Sequence, residues 1–400
     1  MVPGHFEVRP KWPLRIIMTV NAAWNIWNFR KSLLEALISD GHDVNILAPY
    51  DEFAPLLEKL GCRFVALPMD SKSLNPAQAV QLGLRMRREF AALRPDVILS
   101  FTIKNNIYGS FAARSLGSRF FPNVTGLGTA FLSGGILEWV AGKLYRSAFK
   151  NLPVVFFQNG DDAELFVSKK LVQQQQVRLL PGSGVDLSRF AATPYPPADK
   201  PVVFLMIARL LRQKGVAEYV EAARLVRSLD PNVRFQLLGA TGTANRSAIN
   251  LDTVKAWEHT HGIEYLGTSE DVRSLIADAN CVVLPSYREG APRTLIEAAA
   301  MARPTIATDV PGCRSVVDDG VSGILCPPRD AGGLAAACLR FLELDQVDRE
   351  AMGQAGRSKM EREFDEELIA HAYRDVIGHA MEAAPGGIKR IDDPTAPPPG

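Results

Sequence analysis

The chain has 400 residues, of which 47% are hydrophobic and 22% are charged, a composition typical of a globular protein with two domains. The net charge is only +1 at pH 7, and we expect no nucleic-acid partner. The apolar stretches, such as residues 202–208, are far shorter than the roughly 18 residues that a membrane-spanning helix needs. No N-terminal pattern indicates a signal peptide.

The charge is unevenly distributed along the chain. Residues 1–195 contain 22 Lys and Arg against 15 Asp and Glu, and the remainder contains 23 against 29. A basic first half suits a phosphate-bearing acceptor or an anionic membrane surface. Two oppositely charged halves that face each other across a cleft would give the same pattern. The five cysteines show no C-x-x-C spacing, which predicts reduced packing residues in a cytosolic protein.

The first half alternates between predicted strands and helices. Residues 14–20 form a first apolar strand, and residues 26–40 have helical spacing that ends at Gly41. Further strands are predicted at residues 44–48, 64–67, 97–100, 120–124 and 154–158, with helices at 77–93 and 106–116. This alternation predicts a parallel sheet that is covered on both faces.

Three loops at predicted strand ends are candidate ligand sites, because ligands of parallel sheets gather at the carboxyl ends of the strands. They are residues 21–25, 102–106 and 125–129. Asn21 offers an amide and Ala22 allows close backbone approach, Lys104 stands before a helix start and can meet a phosphate, and Gly126 and Gly128 leave backbone N–H groups free to face a ligand. Each loop alone is also typical of an ordinary turn.

Residues 131–149 predict a basic amphipathic helix. Trp139 and Tyr145 lie among Lys143, Arg146 and Lys150. Such a helix can lie in a membrane interface, and its apolar stripe can equally pack on a sheet.

A second domain is predicted after a Pro-rich linker at residues 193–201. Its first strand, residues 202–208, is followed by Arg209 and Lys214, with Gly215 and a helix start next to them. Two cations at this spacing suit a diphosphate, whose two groups need separate donors, although ordinary surface charges are the alternative. Strands at 235–239, 263–267, 281–285 and 305–308, a turn and strand at 320–325, and helices from 331, 347 and 366 follow. Residues 385–400 are rich in Pro and Gly and are expected to be disordered.

The segment from 281 to 308 predicts a strand, loop, helix and strand. Pro292 suits the first helical position, so that the free N–H groups of the first turn point toward Glu289 and Gly290 and form an anion site. Arg293 in the first turn opposes the helix dipole unless an anion is bound there. Glu297 needs a partner, which is either a sugar hydroxyl or Arg293, one turn earlier on the same helical face.

The run from Glu289 to Glu297, Glu-Gly-Ala-Pro-Arg-Thr-Leu-Ile-Glu, resembles the donor-site motif of retaining GT-B glycosyltransferases of family 4. Arg209-x4-Lys214-Gly215, 75 residues before Glu289, resembles the diphosphate clamp of that family. The three first-half loops resemble a bacterial subgroup that glycosylates sugars on polyprenyl diphosphate carriers, although relatives often carry a Gly-Gly pair in the first loop.

The resemblance implies an α/β fold of the GT-B type, with two Rossmann-like parallel-sheet domains that face each other across a cleft. The first would span residues 1–192 and the second 201–364, and a terminal helix at 366–382 would cross back to the first domain. It also implies a role for each matched residue. Catalysis is assigned to Glu289, Arg209 and Lys214; donor binding to Glu297, Gly290, Ala291, Arg293, Thr294, Leu295, Leu266, Asn21 and Ala22; and acceptor binding to Lys104, Asn105, Thr125, Gly126 and Gly128.

Within that set, the resemblance implies that Glu289 contacts the donor hexose, Glu297 the ribose hydroxyls and Leu266 the base. Arg293 is expected to bind phosphate or to brace the loop. Neither His5 nor His42, the two histidines before the linker, falls in a candidate loop, and we assign no catalytic histidine.

The implied reaction is retaining transfer of a hexose, expected to be an N-acetylhexosamine, from a UDP-sugar to a polyprenyl-diphosphate-linked saccharide at the inner face of the cytoplasmic membrane. No two Asp residues stand two apart, so we expect no metal and no other cofactor, with Arg209 and Lys214 meeting the leaving-group charge. A non-catalytic UDP-sugar-binding subunit is one alternative, against which the intact motifs argue. A UDP-sugar epimerase of the same fold is another, and its acid–base groups are not found in the first half.

Overall fold

A computed structural model describes residues 12–70, 73, 75–126, 135–242, 245 and 247–382. It contains a seven-stranded sheet in the order β3-β2-β1-β4-β5-β6-β7 and a six-stranded sheet in the order β10-β9-β8-β11-β12-β13. Every strand pairing in both sheets is parallel. The predicted α/β architecture of two Rossmann-like domains is confirmed. Residues 127–134, which include the predicted site residue Gly128, lie outside the described residues, and so does the tail at 385–400.

The first domain follows the predicted alternation. Its strands are β1 (Arg15–Thr19), β2 (Asp43–Ala48), β3 (Arg63–Ala66), β4 (Val97–Phe101), β5 (Arg119–Val124), β6 (Val155–Phe157) and β7 (Val177–Leu179). Its helices are α1 (Ala23–Phe29), α2 (Lys31–Ser39), α3 (Ala54–Glu58), α4 (Pro76–Leu93), α5 (Ile103–Arg114), α6 (Gly135–Phe149) and α7 (Gly160–Ser168), with a 3-10 turn at Gln174–Gln176. The sequence did not predict α3, α7 or β7.

The prediction of a single helix at residues 26–40 is wrong, because the chain forms two helices there. Arg30 leaves the helical conformation, with φ −142° and ψ 10°. Its side chain is buried and its guanidinium lies 4.8 Å from the centre of the Phe101 ring. Tertiary packing of this one side chain therefore separates α1 from α2.

The second domain contains β8 (Val203–Ile207), β9 (Arg234–Leu238), β10 (Ile263–Tyr265), β11 (Cys281–Leu284), β12 (Thr305–Thr308) and β13 (Gly323–Cys326). Its helices are α8 (Val216–Arg227), α9 (Leu251–His261), α10 (Arg273–Asp278), α11 (Arg293–Ala300), α12 (Pro311–Val316), α13 (Ala331–Glu343) and α14 (Gln346–Lys359), with a 3-10 turn at Arg212–Lys214 and a π-helix at Met360–Phe364. The chain ends its described part with α15 (Glu366–Glu382).

The strands are apolar because helices cover both faces of each sheet. All four residues of β11 and all five of β4 are buried, as expected for central strands of parallel sheets. The five cysteines are buried and unpaired, which agrees with a packing role. The strand order reverses between β1 and β4 and again between β8 and β11, and such reversals open a crevice at the carboxyl ends of the strands.

Helix α15 crosses back onto the first domain, as the resemblance implied. Tyr373 is buried with its ring centre 6.3 Å from that of Phe101 and 4.7 Å from that of Phe156. Its hydroxyl accepts a hydrogen bond from Asn123 Nδ2 at 2.6 Å. The Arg374 Nε atom lies 2.6 Å from Asp40 Oδ2 on the C-terminal side of α2. An apolar contact and an ion pair thus fasten α15 to the first domain.

The two chain segments that connect the domains pair with each other. The Val185 N–H donates to the Phe364 carbonyl oxygen at 2.8 Å, and the Glu366 N–H donates to the Val185 oxygen at 3.2 Å. Gly184 has φ +77°, and a Cβ atom there would lie 2.5 Å from Glu366 Cα. Only glycine allows this close approach.

No helix in the described part of the chain is both long and apolar enough to cross a membrane.

Candidate functional site

Arg209 follows strand β8 and lies at the edge of the second-domain crevice. Its side chain is exposed and forms no ion pair or hydrogen bond with the described residues. Gly239, at the end of the neighbouring strand, has φ +155°, and a Cβ atom there would lie 1.8 Å from the Ala208 carbonyl oxygen. The glycine allows the two strand ends to approach closely, and the free guanidinium is available to an anionic ligand.

Lys214 and Glu289 are 75 residues apart in sequence and form an ion pair through Lys214 Nζ and Glu289 Oε1. Gly215 makes this possible, since it has φ +73° and a Cβ atom there would lie 2.0 Å from the Pro285 carbonyl oxygen. The loop after β8 and the loop after β11 therefore touch. An ammonium group has three N–H donors, so Lys214 can hold Glu289 and still donate to a phosphate oxygen.

Helix α11 begins one residue later than predicted. Pro292 is extended, with φ −75° and ψ 110°, and serves as the N-cap rather than as the first helical residue. Its carbonyl oxygen accepts the Leu295 N–H at 3.1 Å. The Thr294 hydroxyl donates to the Ile207 carbonyl oxygen at 3.0 Å, which attaches the helix start to the end of β8.

Arg293 bridges the two domains. Its Nε atom lies 2.5 Å from Glu297 Oε1, so the alternative of a pair between these residues is correct. A terminal guanidinium nitrogen also donates to the Asn28 carbonyl oxygen, and the group lies 5.3 Å from the centre of the Phe29 ring. Of the two expected roles of Arg293, these contacts favour bracing over phosphate binding.

Glu297 is the second acid of the motif and is largely buried, with 13% of its side chain exposed. Burial raises the pKa of this carboxyl above its ordinary value, and the charge of Arg293 opposes the shift. The ion pair supplies the partner that the sequence required.

A cavity of about 1020 Å³ lies between the domains, at the upper end of the range for ligand sites. The second domain contributes Ile207, Ala208, Arg209, Leu238, Gly239, Ala240, residues 268–272, Arg293, Thr294 and Glu297. The first domain contributes Trp24, Trp27, Asn28, Phe29, Lys31, Ser32, Glu35, Glu52, Phe53 and Leu56, and the wall is completed by Ser183, Gly184, Asp186, Arg189, Phe190 and Glu366. Four predicted site residues, Arg209, Arg293, Thr294 and Glu297, thus share one cavity.

Leu266 and Leu295 do not line the cavity. The Leu266 N–H is bonded to the Leu237 carbonyl oxygen at 2.9 Å, and its side chain packs on the core. Leu295 is completely buried in the same core. Residues 268–272 line the cavity instead, and the base-contact role of Leu266 stays a prediction.

The loop of Gly290 and Ala291 packs against the first domain. A Cβ atom on Gly290 would lie 2.3 Å from the Thr125 carbonyl oxygen, and the Gly290 carbonyl oxygen accepts a hydrogen bond from Asn159 Nδ2 at 2.8 Å. Next to this contact, Arg288 pairs with the buried carboxylate of Asp162. Asn159 and Asp162 had no recognisable signal in the sequence, because their partners are more than 120 residues away.

Lys104 and Asn105 bond to other parts of the first domain, and their role in acceptor binding stays a prediction. The Lys104 ammonium donates to the carbonyl oxygens of Asp70 at 2.6 Å and Ser73 at 2.5 Å, and burial lowers its pKa. Asn105 is fully buried and donates to the Thr19 hydroxyl at 2.8 Å. Lys104 fastens the loop before α4, and Asn105 fastens α5 to β1.

Asn21 and Ala22 lie in the loop after β1, where Ala22 is the N-cap of α1, and both are partly buried outside the cavity wall. Gly126 has φ +145°, which suits glycine at the loop after β5. The roles assigned to these residues and to Thr125 stay predictions. Among the described residues, no three His, Cys, Asp or Glu side chains form a group that could hold a metal ion.

Two family models match the chain and together cover most of it. The model described as glycosyl transferases group 1 matches residues 191–359, and the glycosyl transferase 4-like domain model matches residues 26–183. The N,N'-diacetylbacillosaminyl-diphospho-undecaprenol alpha-1,3-N-acetylgalactosaminyltransferase of Campylobacter jejuni is 26% identical over 377 residues, covering 90% of this chain and 97% of that protein. The UDP-Gal:alpha-D-GlcNAc-diphosphoundecaprenol alpha-1,3-galactosyltransferase of Escherichia coli is 24% identical over 343 residues, covering 77% and 82%.

Solved structures share the fold at low sequence identity. A glycosyltransferase from Rickettsia africae superposes with a TM-score of 0.76 at 18% identity, covering 93% of this chain and all of that one (100%). The Anabaena protein HepE, in complex with UDP and glucose, gives a TM-score of 0.73 at 18% identity over 91% of this chain and 99% of that one. These matches support neither a UDP-sugar epimerase nor a non-catalytic binding subunit.

Proposed function

Because the chain belongs to the GT-B glycosyl transferases of group 1, with a glycosyl transferase 4-like first domain, we propose that it moves a hexose from a UDP-sugar to a polyprenyl-diphosphate-linked saccharide. The sugar is an N-acetylhexosamine, and the product belongs to bacterial glycan assembly. The observation that carries the proposal is the match along 90% of this chain to a transferase whose name specifies a diphospho-undecaprenol acceptor.

The geometry of the second domain supports a nucleoside diphosphate donor. Arg209 has no described partner, and Lys214 keeps donors beyond its bond to Glu289, so the two cations can hold separate phosphoryl groups. Glu297 lines the same cavity as Arg209, which supports a role in accepting hydrogen bonds from ribose hydroxyls. Glu289 then meets the hexose next to Lys214.

The proposed transfer retains the configuration of the sugar and uses no divalent ion. The bond between the anomeric carbon and the β-phosphate oxygen breaks, and UDP leaves. The acceptor hydroxyl oxygen bonds to the anomeric carbon on the same face, and its proton passes to the departing phosphate oxygen. Arg209 and Lys214 stabilise the charge that develops on that phosphate. The absence of an Asp-x-Asp sequence supports a metal-independent site.

Incubation with radiolabelled UDP-sugars and a bacterial lipid extract tests this function. Label should enter the organic phase with one UDP-N-acetylhexosamine, in EDTA as well as in buffer, and NMR of the product should show an α-linkage from an α-linked donor. Failure with every donor, together with tight UDP binding, would favour a non-catalytic subunit. Loss of transfer in EDTA that Mg²⁺ or Mn²⁺ restores would reject the metal-independent mechanism alone.

Helix α6 supports peripheral contact with the anionic inner face of the cytoplasmic membrane. Tyr145 and Phe149 pack in the core, so part of the predicted apolar stripe is structural. Trp139 is 64% exposed, and Lys143 and Arg146 are exposed on the outer face. An exposed indole among cations is typical of an interfacial helix.

Helix α4 extends this surface on the same side of the sheet. Val80 and Leu84 are 63% and 62% exposed, and Arg87 and Arg88 follow on the same helical face. Both helices pack against α5, which lies between them. Their exposed apolar side chains and cations, on two helices that flank α5, support contact with an anionic lipid surface.

The double variant Lys143→Glu/Arg146→Glu should bind vesicles of phosphatidylglycerol and phosphatidylcholine at least 10-fold more weakly, because each basic residue contributes about 1 kcal/mol near an anionic surface and the new acids are repelled. Co-sedimentation measures the binding. Lys255→Glu, an exposed charge reversal in the second domain, is the matched control and should be neutral. Equal binding of the double variant and the wild type would reject the assignment of α6 to the membrane.

A further inference from the structure

Two tryptophans lie on the first-domain side of the cavity; Trp27 also packs against the core, whereas Trp24 has no explanation in core packing. Trp24 is 45% exposed, and Trp27 follows it three residues later on the same face of α1. Both line the cavity, next to Phe29, Phe53 and Leu56. Trp24 is exposed and the other four side chains are half-buried, and an exposed indole beside such an apolar surface inside a cleft indicates a ligand surface. We call these five side chains the aromatic wall.

The aromatic wall is held in place before any ligand arrives. The Asp51 carboxylate accepts hydrogen bonds from the backbone N–H groups of Trp24 and Phe53, each at 2.9 Å, and so joins the starts of α1 and α3. The ring centres of Trp27 and Phe53 are 6.4 Å apart, and Lys31 Nζ lies 5.1 Å from the Trp27 ring centre. A fixed wall loses little conformational entropy when a ligand binds.

The opposite wall is polar and belongs to the second domain. Arg209 supplies a free cation, Glu297 a carboxylate, and residues 268–272 a loop of mostly polar side chains. A ligand that fills the space needs a flat ring face toward the first domain and phosphate and hydroxyl groups toward the second. A nucleoside diphosphate has this distribution of groups.

We propose that the aromatic wall, chiefly Trp24, stacks on the nucleobase of the donor, so that both domains share nucleotide recognition. This inference rests on the proposed function, since the ligand that would stack on the aromatic wall is the UDP-sugar donor of that function. Every base has a π-face that stacks on indole, and Trp27 is partly covered by Lys31, which leaves Trp24 as the main contact. Donor binding then holds the two domains together across the cavity.

The charges on the aromatic wall favour the nucleoside over the acceptor. Glu35 and Glu52 line the cavity beside the indoles. Lys31 Nζ lies 3.4 Å from Glu35 Oε1 and offsets that charge, so the Glu52 carboxylate is the group that repels the diphosphate of a lipid-linked acceptor. A neutral base and ribose can donate hydrogen bonds to both carboxylates.

Calorimetric titration of the full chain with UDP, without acceptor, tests the proposal. Trp24→Ala should weaken UDP binding about 10-fold, on the scale of base–aromatic stacking, and Trp24→Phe should retain affinity within about 3-fold. Trp12→Ala removes another exposed tryptophan, before β1, and should leave UDP affinity unchanged. UDP should also quench tryptophan emission in the wild type and much less in Trp24→Phe, which reports stacking without a large side-chain deletion.

Each outcome separates this inference from the proposed function. Wild-type affinity for UDP in both Trp24 variants, together with unchanged quenching, would overturn the aromatic wall as a base site and leave the transferase proposal intact. A raised acceptor KM with unchanged UDP affinity would assign the wall to the saccharide acceptor and likewise overturn the inference. A wild-type chain that binds no UDP would reject the proposed donor itself.

Discussion

Replacing Lys214 with alanine should lower kcat/KM for the sugar nucleotide by about 10³-fold, the upper range for removing one group that stabilises transition-state charge. In the proposed function Lys214 is one of two cations that bind the diphosphate, and its ion pair with Glu289 would orient that carboxylate toward the hexose. The loss should therefore appear in both kcat and donor KM. Initial rates at varied donor concentration measure the two constants separately.

Lys255→Ala is the matched control, because it removes an exposed lysine of the same domain on α9. Glu289→Gln separates the two tasks of Lys214. This variant keeps the ammonium free for phosphate, so UDP binding should persist while kcat falls. A Lys214→Ala chain that keeps its fold by circular dichroism and its wild-type kcat/KM would remove Lys214 from the mechanism.

Replacing Gly290 with alanine should lower kcat about 100-fold, because a misplacement of about 1 Å at a reacting centre has an effect of this size. The added Cβ atom would lie 2.3 Å from the Thr125 carbonyl oxygen of the first domain and 3.0 Å from Gln158 Oε1. Backbone atoms on the far side of the contact cannot rotate away, so the two domains must separate.

The Gly290→Ala chain should still unfold close to the wild-type temperature, since each domain keeps its own core and only the contact between them changes. Scattering from the UDP-bound chain should report a larger radius of gyration than that of the wild type. Gly142→Ala, on helix α6, is the control, because its Cβ atom would meet only Leu171 Cδ2 at an ordinary 3.8 Å. A fully active Gly290→Ala variant would show that the contact is not part of the active arrangement.

Local pattern predicted most of the fold. The apolar strands β1, β4, β8 and β11 are recognisable because parallel strands are buried on both faces, and the helices between them carry apolar residues at helical spacing. Short elements such as α3 and β7 escaped prediction because five or fewer residues hold too little periodicity to stand out.

The break between helices α1 and α2 at Arg30 was not predicted from the sequence for a different reason. The sequence around Arg30 has good helical spacing. The chain bends there because the Arg30 side chain is buried over Phe101. The two residues are 71 positions apart, and local spacing does not encode a contact of that kind. In the same way, the buried Asp162 carboxylate meets Arg288 of the other domain only after both domains have folded.

By themselves, the residues predicted the candidate site groups: two cations, two acids and their spacing around Gly215 and Gly290, because glycine and charge are local chemical requirements that a motif displays. Only the tertiary structure decided where those groups point. In the folded chain Lys214 pairs with Glu289, Arg293 contacts Glu297 and Asn28, and Lys104 donates a hydrogen bond to the loop before α4. The direction of a long side chain depends on neighbours that are distant in sequence, and the wall that Trp24 presents to the cavity exists only once two domains face each other.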